Sequence, residues 1–339
     1  MPESKHLPAV ADTTGSRVVA LDAMGADHPP DLALEAARQA VRSNPALTIR
    51  LIADPDQLPK VSDQPGIELV ECRKYIAMDS TPAEALRHGR ESSMAVGLRE
   101  VAAGRADALV SSGNTGALLA LARAELGMLP GLERPALITA FPVHQDQVWV
   151  LDLGANIGVD ADRLVEFAIL GEAVAGALLG RVPRVALLNV GRERNKGPDV
   201  IREAARRLEA LGGSLEFVGF VEGHEVFAHR ADVVVCDGFP GNILLKSAEG
   251  AIAMLLDELR ERRRSWWRPP GLKRLVADLE RRYDPQAHNG ATLLGVNGIV
   301  VKSHGHATLG GLINALGVAV AQIERELVAC VERRLWDAV

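Results

Sequence analysis

The chain has 339 residues, of which 47% are hydrophobic, 4% aromatic and 24% charged, and its formal net charge at pH 7 is −6. These values exclude a wholly disordered chain and a fibrous repeat, and they are not typical of a general nucleic-acid-binding protein, so we expect no nucleic-acid partner. Since aromatic residues are few, the core must be aliphatic, which suits helices packed on a buried parallel sheet.

Short β-branched runs alternate along the chain with longer segments of helical periodicity. Residues 1–16 contain no apolar run, so we predict a flexible tail there rather than a signal peptide. Strands or strand-like apolar runs are predicted at residues 17–22, 47–53, 67–71, 108–111, 136–141, 148–153, 184–189, 216–218, 232–237 and 298–302. Helices are predicted at residues 30–43, 90–103, 114–127, 161–179, 199–211, 242–258 and 308–333. This alternation predicts one α/β domain over residues 17–339, with a doubly wound, mostly parallel sheet and helices on both faces.

One segment, residues 258–289, departs from this alternation and is predicted to form a helical arm. Residues 260–282 carry nine Lys or Arg against three acids. Trp266 and Trp267 adjoin a Pro-Pro-Gly break, and an apolar stripe at helical spacing begins at Leu272. The pattern is typical of a helical hairpin packed in a dimer interface, or of a tip that inserts Trp and Leu side chains into an anionic membrane surface.

Nearly every predicted strand ends in a polar segment that contains glycine. A single such loop needs no functional explanation, because glycine serves any tight turn. Ligands of open α/β sheets bind at the carboxyl ends of the strands, so the repetition predicts a ligand site there. The turn at residues 111–116 opens a helix, where free N–H groups and hydroxyls suit an anion. The loop at residues 189–197 adds Arg192, Arg194 and Lys196, which suit a phosphate or a solvated loop equally.

Several familiar motifs are missing: the P-loop, the dinucleotide fingerprint and the Gly-x-Ser-x-Gly nucleophile elbow. His304 and His306 form a pair without a third metal ligand at a recognised spacing, so no metal site is predicted. The same holds for Asp22, Asp27 and His28. No covalent nucleophile is evident either, which fits a reaction in which a bound substrate, such as inorganic phosphate, is itself the nucleophile.

Eight stretches between residues 18 and 307 together resemble one family, the phosphate acyltransferases that make acyl-phosphate at the start of bacterial phosphatidic-acid synthesis. They read VALDAMGADH, SSGNTGALLA, RPALITAFP, LDLGANIGVDADRLVEFA, NVGRERNKG, FVGFVEG, VVVCDGFPGNILLKSAEG and LLGVNGIVVKSHGHA. The resemblance implies a fold similar to phosphotransacetylases and to the isocitrate dehydrogenase type. The chain departs from the family pattern at Ala26, where a glycine is usual, and at residues 288–295, which read HNGATLLG where the family has a GGAPLLG run.

The resemblance implies that inorganic phosphate attacks the thioester of a long acyl chain on acyl carrier protein, releasing acyl-phosphate and free carrier without any cofactor. It implies Lys196 and Asn242 as the catalytic residues. Lys196 holds the phosphate with the support of Arg194, and Asn242, placed at a helix start after Asp237, polarises the carbonyl. The residues expected to bind substrate are Ser112, Asn114, Thr115, Arg194, Asp237, Lys302 and His304, of which the last two serve the leaving sulfur.

The resemblance further implies a homodimer in the cytoplasm, associated peripherally with the inner face of the membrane. A membrane-bound glycerol-3-phosphate acyltransferase would accept the product, and the cationic arm would attract the acidic acyl carrier protein. One alternative is a phosphotransacetylase acting on a short acyl-CoA, although its soluble product would need no apolar arm. A decarboxylating NAD-dependent dehydrogenase would need a carboxylate cluster and a nucleotide site, and a non-catalytic membrane scaffold would leave the polar loops unexplained.

Overall fold

The computed structural model describes residues 17–58, 61, 64–144, 146–212, 215–264 and 271–337. The tail predicted over residues 1–16 lies outside the described residues, as do Trp266, Trp267 and the side chain of Leu272. The strands are β1 (Arg17–Asp22), β2 (Leu47–Ala53), β3 (Ile67–Glu71), β4 (Ala108–Ser111), β5 (Ala136–Val143), β6 (Asp146–Leu151), β7 (Arg184–Leu188), β8 (Glu216–Val221), β9 (Val233–Val235), β10 (Ala291–Leu294) and β11 (Ile299–Lys302). The helices are α1 (Pro30–Ser43), α2 (Pro82–His88), α3 (Ser93–Ala102), α4 (Thr115–Leu126), α5 (Ala161–Leu179), α6 (Asp199–Ala210), α7 (Gly238–Arg264), α8 (Leu272–Tyr283), α9 (Leu309–Glu324) and α10 (Leu327–Asp337).

The described strands form one mixed sheet in the order β3-β2-β1-β4-β11-β10-β5-β6-β9-β7-β8. The five strands from β3 to β11 run parallel to one another, and so do the four strands from β6 to β8. Strand β5 joins these two halves, because its first residues pair antiparallel with β10 and residues 139–143 pair antiparallel with β6. The prediction of a mostly parallel sheet is confirmed, and the antiparallel pairs are confined to the junction.

Helices cover both faces of the sheet, because successive strand side chains point to opposite sides. In β1, Leu21 packs in the cluster that includes α1 and α9, whereas Ala20 packs in the cluster that includes α3 and α4. In the other half, Val233 of β9 faces the cluster built on α5, and Val234 faces the opposite cluster. The prediction of helices on both faces is therefore confirmed, with an aliphatic core on each side.

Helix α7 begins at Gly238, four residues before the predicted start. The side chain of Asp237 explains the earlier start, because its Oδ1 accepts a hydrogen bond of 2.8 Å from the N–H of Phe239 in the first turn. The prediction that Asn242 stands at a helix start is wrong, since Asn242 lies one turn inside the helix. At this position the Asn242 amide does not cap the helix, and it is available to a ligand at the helix surface.

Other elements depart from the predicted pattern near turns. The helix predicted over residues 308–333 is two helices, because Glu326 adopts a φ of +48° and the chain turns between α9 and α10. Helix α2 was not predicted, although Thr81 and Glu84 form a capping box at its start. Strand β10 was also missed, because its four residues pair across the junction in a way that no local pattern reveals.

The predicted arm is a helical hairpin made by the end of α7 and by α8. Its two helices are joined by Arg260, whose Nε lies 2.7 Å from Glu280 Oε1 and whose Nη2 lies 3.6 Å from Asp284 Oδ2. Leu256 of α7 and Val276 of α8 are buried. Within the described residues, no helix is both long enough and apolar enough to cross a bilayer.

Candidate active site

A cavity of about 630 Å³ opens at the junction between the two halves of the sheet. Its wall is formed by residues that follow β4, β6, β9 and β11, together with β5, the inner face of α7 and the base of the arm. The carboxyl ends of strands from both halves therefore converge on one space. Among the predicted site residues, Thr115, Asn242, Lys302 and His304 line this cavity.

Asn242 presents a free amide to the cavity. Its side chain is exposed there and makes no hydrogen bond to any other residue that the structure describes. The loop after β6 packs against it at Gly154, where a Cβ would come within 3.4 Å of Asn242 Cβ and where φ is +118°, a conformation that favours glycine. The amide N–H groups are thus available to an oxygen bound in the cavity.

The loop that carries Gly154 is held by the buried carboxylate of Asp152. That carboxylate accepts hydrogen bonds from the N–H of Leu137 at 2.9 Å, of Ala155 at 3.2 Å and of Asn156 at 2.6 Å. Burial raises the pKa of Asp152, although these hydrogen bonds oppose the rise. Asp152 therefore fixes one wall of the cavity and does not reach the substrate space itself.

Lys302 ends β11 with its side chain almost fully buried, at 9% exposure. Its ammonium donates a hydrogen bond to the carbonyl oxygen of Ser303. Burial, with a further contribution from the positive charge of Lys246, lowers the pKa of Lys302 to about 8, although Asp22 and Asp27 oppose both effects. An ammonium with this pKa can release a proton near neutral pH, which an ordinary lysine cannot.

His304 belongs to a hydrogen-bonded chain along the cavity wall. Its Nδ1 lies 2.7 Å from Asn289 Oδ1, and its Nε2 lies 3.1 Å from Glu249 Oε1. Asn289 is held in turn, because its Nδ2 donates to Ser303 Oγ at 2.7 Å. Burial alone would raise the pKa of Glu249, but hydrogen bonds from His304 and Lys246 outweigh it and hold that pKa below its usual value. His304 is therefore anchored at both ring nitrogens.

Of the three residues predicted around the start of α4, one lines the cavity and two do not. Asn114 caps α4, accepting from the N–H of Ala117 at 2.8 Å, and its Nδ2 donates to the carbonyl oxygens of Met78 and Ser80. Ser112 is fully buried outside the cavity lining, and its Oγ has no hydrogen-bond partner among the described residues. Thr115 alone of the three predicted residues lines the cavity.

Asp237 and the pair Lys196 and Arg194 do not line the cavity. Both carboxylate oxygens of Asp237 are engaged by backbone N–H groups, those of Val159 and Phe239 at 2.8 Å each. Lys196 is exposed on the loop that follows β7, and Arg194 lies in a separate polar groove, with its guanidinium 3.0 Å from Glu209. Because β7 neighbours β9, this loop still rises from the same edge of the sheet as Asn242.

Apolar side chains form most of the remaining cavity wall. They come from β5, from the loop after β6, from the segment between β8 and β9, from the inner face of α7 and from the base of the arm, and comprise Leu137, Phe141, Pro142, Val143, Leu153, Phe227, Leu245, Ile252, Leu255 and Tyr283. Phe141 and Phe227 stack with ring centroids 6.0 Å apart. The cavity wall is thus polar near Asn242 and Lys302 and mostly apolar elsewhere.

Sequence reasoning missed Lys246, Glu249 and Asn289 as cavity residues. The first two could have been predicted from the helical period, because residues four and seven positions after Asn242 lie on the same face of α7. Asn289 could not have been found this way, since it lies before β10 and is held at the cavity by Ser303, which follows β11 and is far from α7 in sequence.

Of the two departures from the family pattern, one lies outside the cavity lining and one lies in it. Ala26 needs no left-handed backbone, because that conformation falls on its neighbour Gly25, with a φ of +69°. His288 and Asn289, by contrast, line the cavity, and Gly290 beside them adopts a φ of +129°. In the part of the chain that the structure describes, no three His, Cys, Asp or Glu side chains are grouped to hold a metal ion.

The sequence matches known proteins along nearly its whole length. Residues 17–329 match the protein family described as "Fatty acid synthesis protein". A phosphate acyltransferase of Vibrio atlanticus is 42% identical over 329 residues, which cover 94% of this chain and 96% of that protein. A phosphate acyltransferase of Coxiella burnetii is 40% identical over 328 residues, covering 92% of this chain and 94% of that protein.

Solved structures of similar fold include two acyl-transferring enzymes. A phosphotransacetylase from Staphylococcus aureus aligns with a TM-score of 0.60 at 19% identity and covers 93% of this chain and 97% of its own. A branched-chain phosphotransacylase from Enterococcus faecalis aligns with a TM-score of 0.59 at 17% identity and covers 91% and 99%. At these identities the likeness shows the fold, and the predicted similarity in fold to phosphotransacetylases is confirmed.

Proposed function

Because this chain belongs to the phosphate acyltransferase family, we propose that its acyl donor is a long-chain acyl thioester carried on acyl carrier protein. The protein is an acyltransferase that transfers acyl groups to phosphate. The products of the proposed reaction are acyl-phosphate and free carrier, which feed the acylation of glycerol 3-phosphate in phospholipid synthesis. The single observation that carries the long-chain assignment is the size and apolar lining of the cavity.

A volume of about 630 Å³ lies within the range of pockets that bury ligands far larger than an acetyl group. Each methylene transferred from water into an apolar wall stabilises the bound donor by about 0.8 kcal/mol. A long chain would therefore gain much more from this wall than the acetyl group of a short acyl-CoA. Under the phosphotransacetylase alternative, the acetyl group would leave most of the apolar wall without contact to the substrate.

The chemistry requires a held phosphate, donors for the developing oxyanion and a proton for the leaving sulfur. A phosphate oxygen forms the new bond to the carbonyl carbon, and the amide of Asn242 donates to the carbonyl oxygen as it becomes negative. The carbon–sulfur bond then breaks, and the thiolate leaves with the electron pair. Lys302 supplies the proton, because its pKa of about 8 is close to that of a free thiol. Thr115 donates its hydroxyl to a phosphate oxygen.

We assign the remaining predicted residues as follows. Lys196 and Arg194 attract phosphate from the loop beside the cavity, at the same edge of the sheet as Asn242. Ser112 and Asn114 shape the turn before α4, and Asp237 ties the start of α7 to the loop after β6 by accepting from the N–H groups of Phe239 and Val159. His304 keeps Glu249 and Asn289 in place beside Lys302.

Donor preference tests this proposal. We expect the rate of carrier release at low donor concentration to rise steeply from acetyl to palmitoyl thioesters of the same acyl carrier protein. A preference for acetyl-CoA over every carrier-bound long chain would favour the phosphotransacetylase alternative and contradict the proposal.

A bulky side chain inside the cavity should change that preference. Ile252 lines the apolar wall, so Ile252→Trp fills space that the chain would occupy. We expect kcat/KM for a palmitoyl donor to fall about tenfold to a hundredfold, as expected when a few methylenes lose their contacts, with a much smaller effect on a hexanoyl donor. Ala251→Trp is the matched control, since Ala251 is exposed on α7 and does not line the cavity. Equal losses for both donors would contradict the placement of the chain.

The proposal includes membrane docking, for which the arm is the binding element. The product is greasy, and the arm carries arginines beside Trp266, Trp267 and Leu272, a composition suited to an anionic membrane surface. The same charge suits acidic acyl carrier protein, and a homodimer at the inner face of the membrane would pass product to a membrane-bound glycerol-3-phosphate acyltransferase. We expect Trp266→Ser/Trp267→Ser to lose flotation with anionic vesicles while keeping activity on soluble donor. Flotation equal to the wild type would exclude the tip as the anchor.

A further inference from the structure

Helix α7 presents a second cation to the cavity one turn beyond Asn242. Asn242, Lys246 and Glu249 occupy the same face of the helix and all line the cavity. The ammonium of Lys246 lies 2.9 Å from Glu249 Oε2. The other oxygen of that carboxylate lies 3.1 Å from His304 Nε2, so Glu249 is fixed from two sides.

Lys246 and Lys302 face the same space from different elements. Lys302 ends β11, and the charge of Lys246 on α7 is felt strongly enough at Lys302 to lower its pKa. Glu249 touches Lys246, but no carboxylate lies within ion-pair distance of Lys302 in the described residues. Lys246 and Lys302 thus place two ammoniums here against one carboxylate in contact, Glu249, while Asp22 and Asp27 act on Lys302 from beyond ion-pair distance, and an anion can bind between the two ammoniums.

We propose that Lys246 binds the attacking phosphate inside the cavity, held in position by Glu249, while Lys302 serves the leaving sulfur. The inference rests on the proposed function and adds a phosphate ligand to it. Lys246 lies one helical turn from the Asn242 amide, so a phosphate held at its ammonium stands beside the carbonyl that Asn242 polarises. A dianion at Lys246 also offsets the repulsion between the two ammoniums, which couples phosphate binding to the protonated state of Lys302.

The chemistry at Lys246 suits two sources of phosphate, inorganic phosphate and the phosphodiester of the carrier's prosthetic arm. A decanoyl thioester of N-acetylcysteamine carries no phosphodiester, so it isolates inorganic phosphate as the anion. With this donor we expect Lys246→Met to raise the KM for phosphate about 10- to 100-fold, the range for a lost charge-assisted hydrogen bond, while the KM for donor stays within about twofold. Lys246→Arg should restore part of the loss, and Glu249→Gln should raise the KM for phosphate less.

The pH profile separates a ligand role from a structural one. Burial and Lys246 lower the pKa of Lys302, whereas Asp22 on β1 and Asp27 in the loop after it raise it. The other titratable groups that line the cavity are His144, Glu249, Tyr283, His288 and His304. Removing the charge of Lys246 should therefore raise the pKa of Lys302 and move the alkaline limb of kcat/KM to higher pH. We expect this shift in both Lys246→Met and Lys246→Gln.

The matched control is Lys74→Met, because Lys74 is an exposed lysine with its own carboxylate partner, Glu91, and lies outside the cavity. It should leave both KM values and the pH profile unchanged. A phosphate KM within twofold of the wild type in Lys246→Met would overturn the inference, as would a rise confined to donors that carry the phosphodiester. A wild-type protein without phosphate-dependent release would instead contradict the proposed function.

Discussion

Asn242→Ala should fold normally and lose nearly all phosphate-dependent release of carrier. Its amide faces the cavity and makes no hydrogen bond within the described part of the chain, so its removal leaves no buried partner unsatisfied. Loss of one preorganised donor to a developing oxyanion slows acyl transfer by about 100- to 1,000-fold. Steady-state kinetics should show the loss in kcat, with the KM for donor nearly unchanged.

Ser247→Ala is the matched control for that variant, because Ser247 is exposed on the same helix and does not line the cavity. Its kinetics and its Tm should equal those of the wild type. An Asn242→Ala protein with a wild-type Tm and more than a tenth of the wild-type kcat would remove Asn242 from the reaction.

Lys302→Met should combine a large loss of activity with a gain in stability. Burial lowers the pKa of Lys302 to about 8, so holding this lysine charged below pH 8 costs folding free energy. The cost is fully present below about pH 8 and fades as the pH rises toward the ordinary lysine value. Methionine has no charge to desolvate, so we expect the free energy of unfolding at pH 7 to rise by about 1 to 3 kcal/mol while kcat falls about a hundredfold or more.

Denaturant unfolding at pH 7 and pH 10 measures the first effect, because the stability advantage of the variant should shrink at the higher pH. The wild-type pH–rate profile checks the second, with kcat/KM declining above about pH 8 as Lys302 loses its proton. A variant that is both less stable and fully active at pH 7 would contradict the assigned environment and the assigned role.

The alternation of strands and helices was predictable because each half of the sheet is built from local units. Val233 to Val235, for example, read as a buried strand because both of their faces are covered. The junction was not predictable in the same way. Strand β5 pairs with β10 through one part and with β6 through another, a choice made by contacts far apart in sequence.

The positions of the predicted site residues followed from the sequence only in part. Lys302 and Asn242 both line the cavity, but they follow β11 and β9, which run in opposite directions, so the shared edge of a parallel sheet does not explain why they meet. Asn114 was assigned to substrate from its loop alone, whereas its amide is used to cap α4 and to hold Met78 and Ser80. Lys246 could not be assigned from the sequence, because a lysine in a helix is usually exposed to solvent. Its place in the cavity follows only from the position of the end of β11.

The central claim is that phosphate accepts a long acyl chain directly from its thioester. Its most direct test is incubation of the wild-type protein with palmitoyl-acyl-carrier-protein, with and without inorganic phosphate, followed by trapping with hydroxylamine. The account predicts release of free carrier and a trapped palmitoyl hydroxamate, both dependent on phosphate. Carrier release at the same rate without phosphate, or no release with a donor that the protein binds, would contradict it.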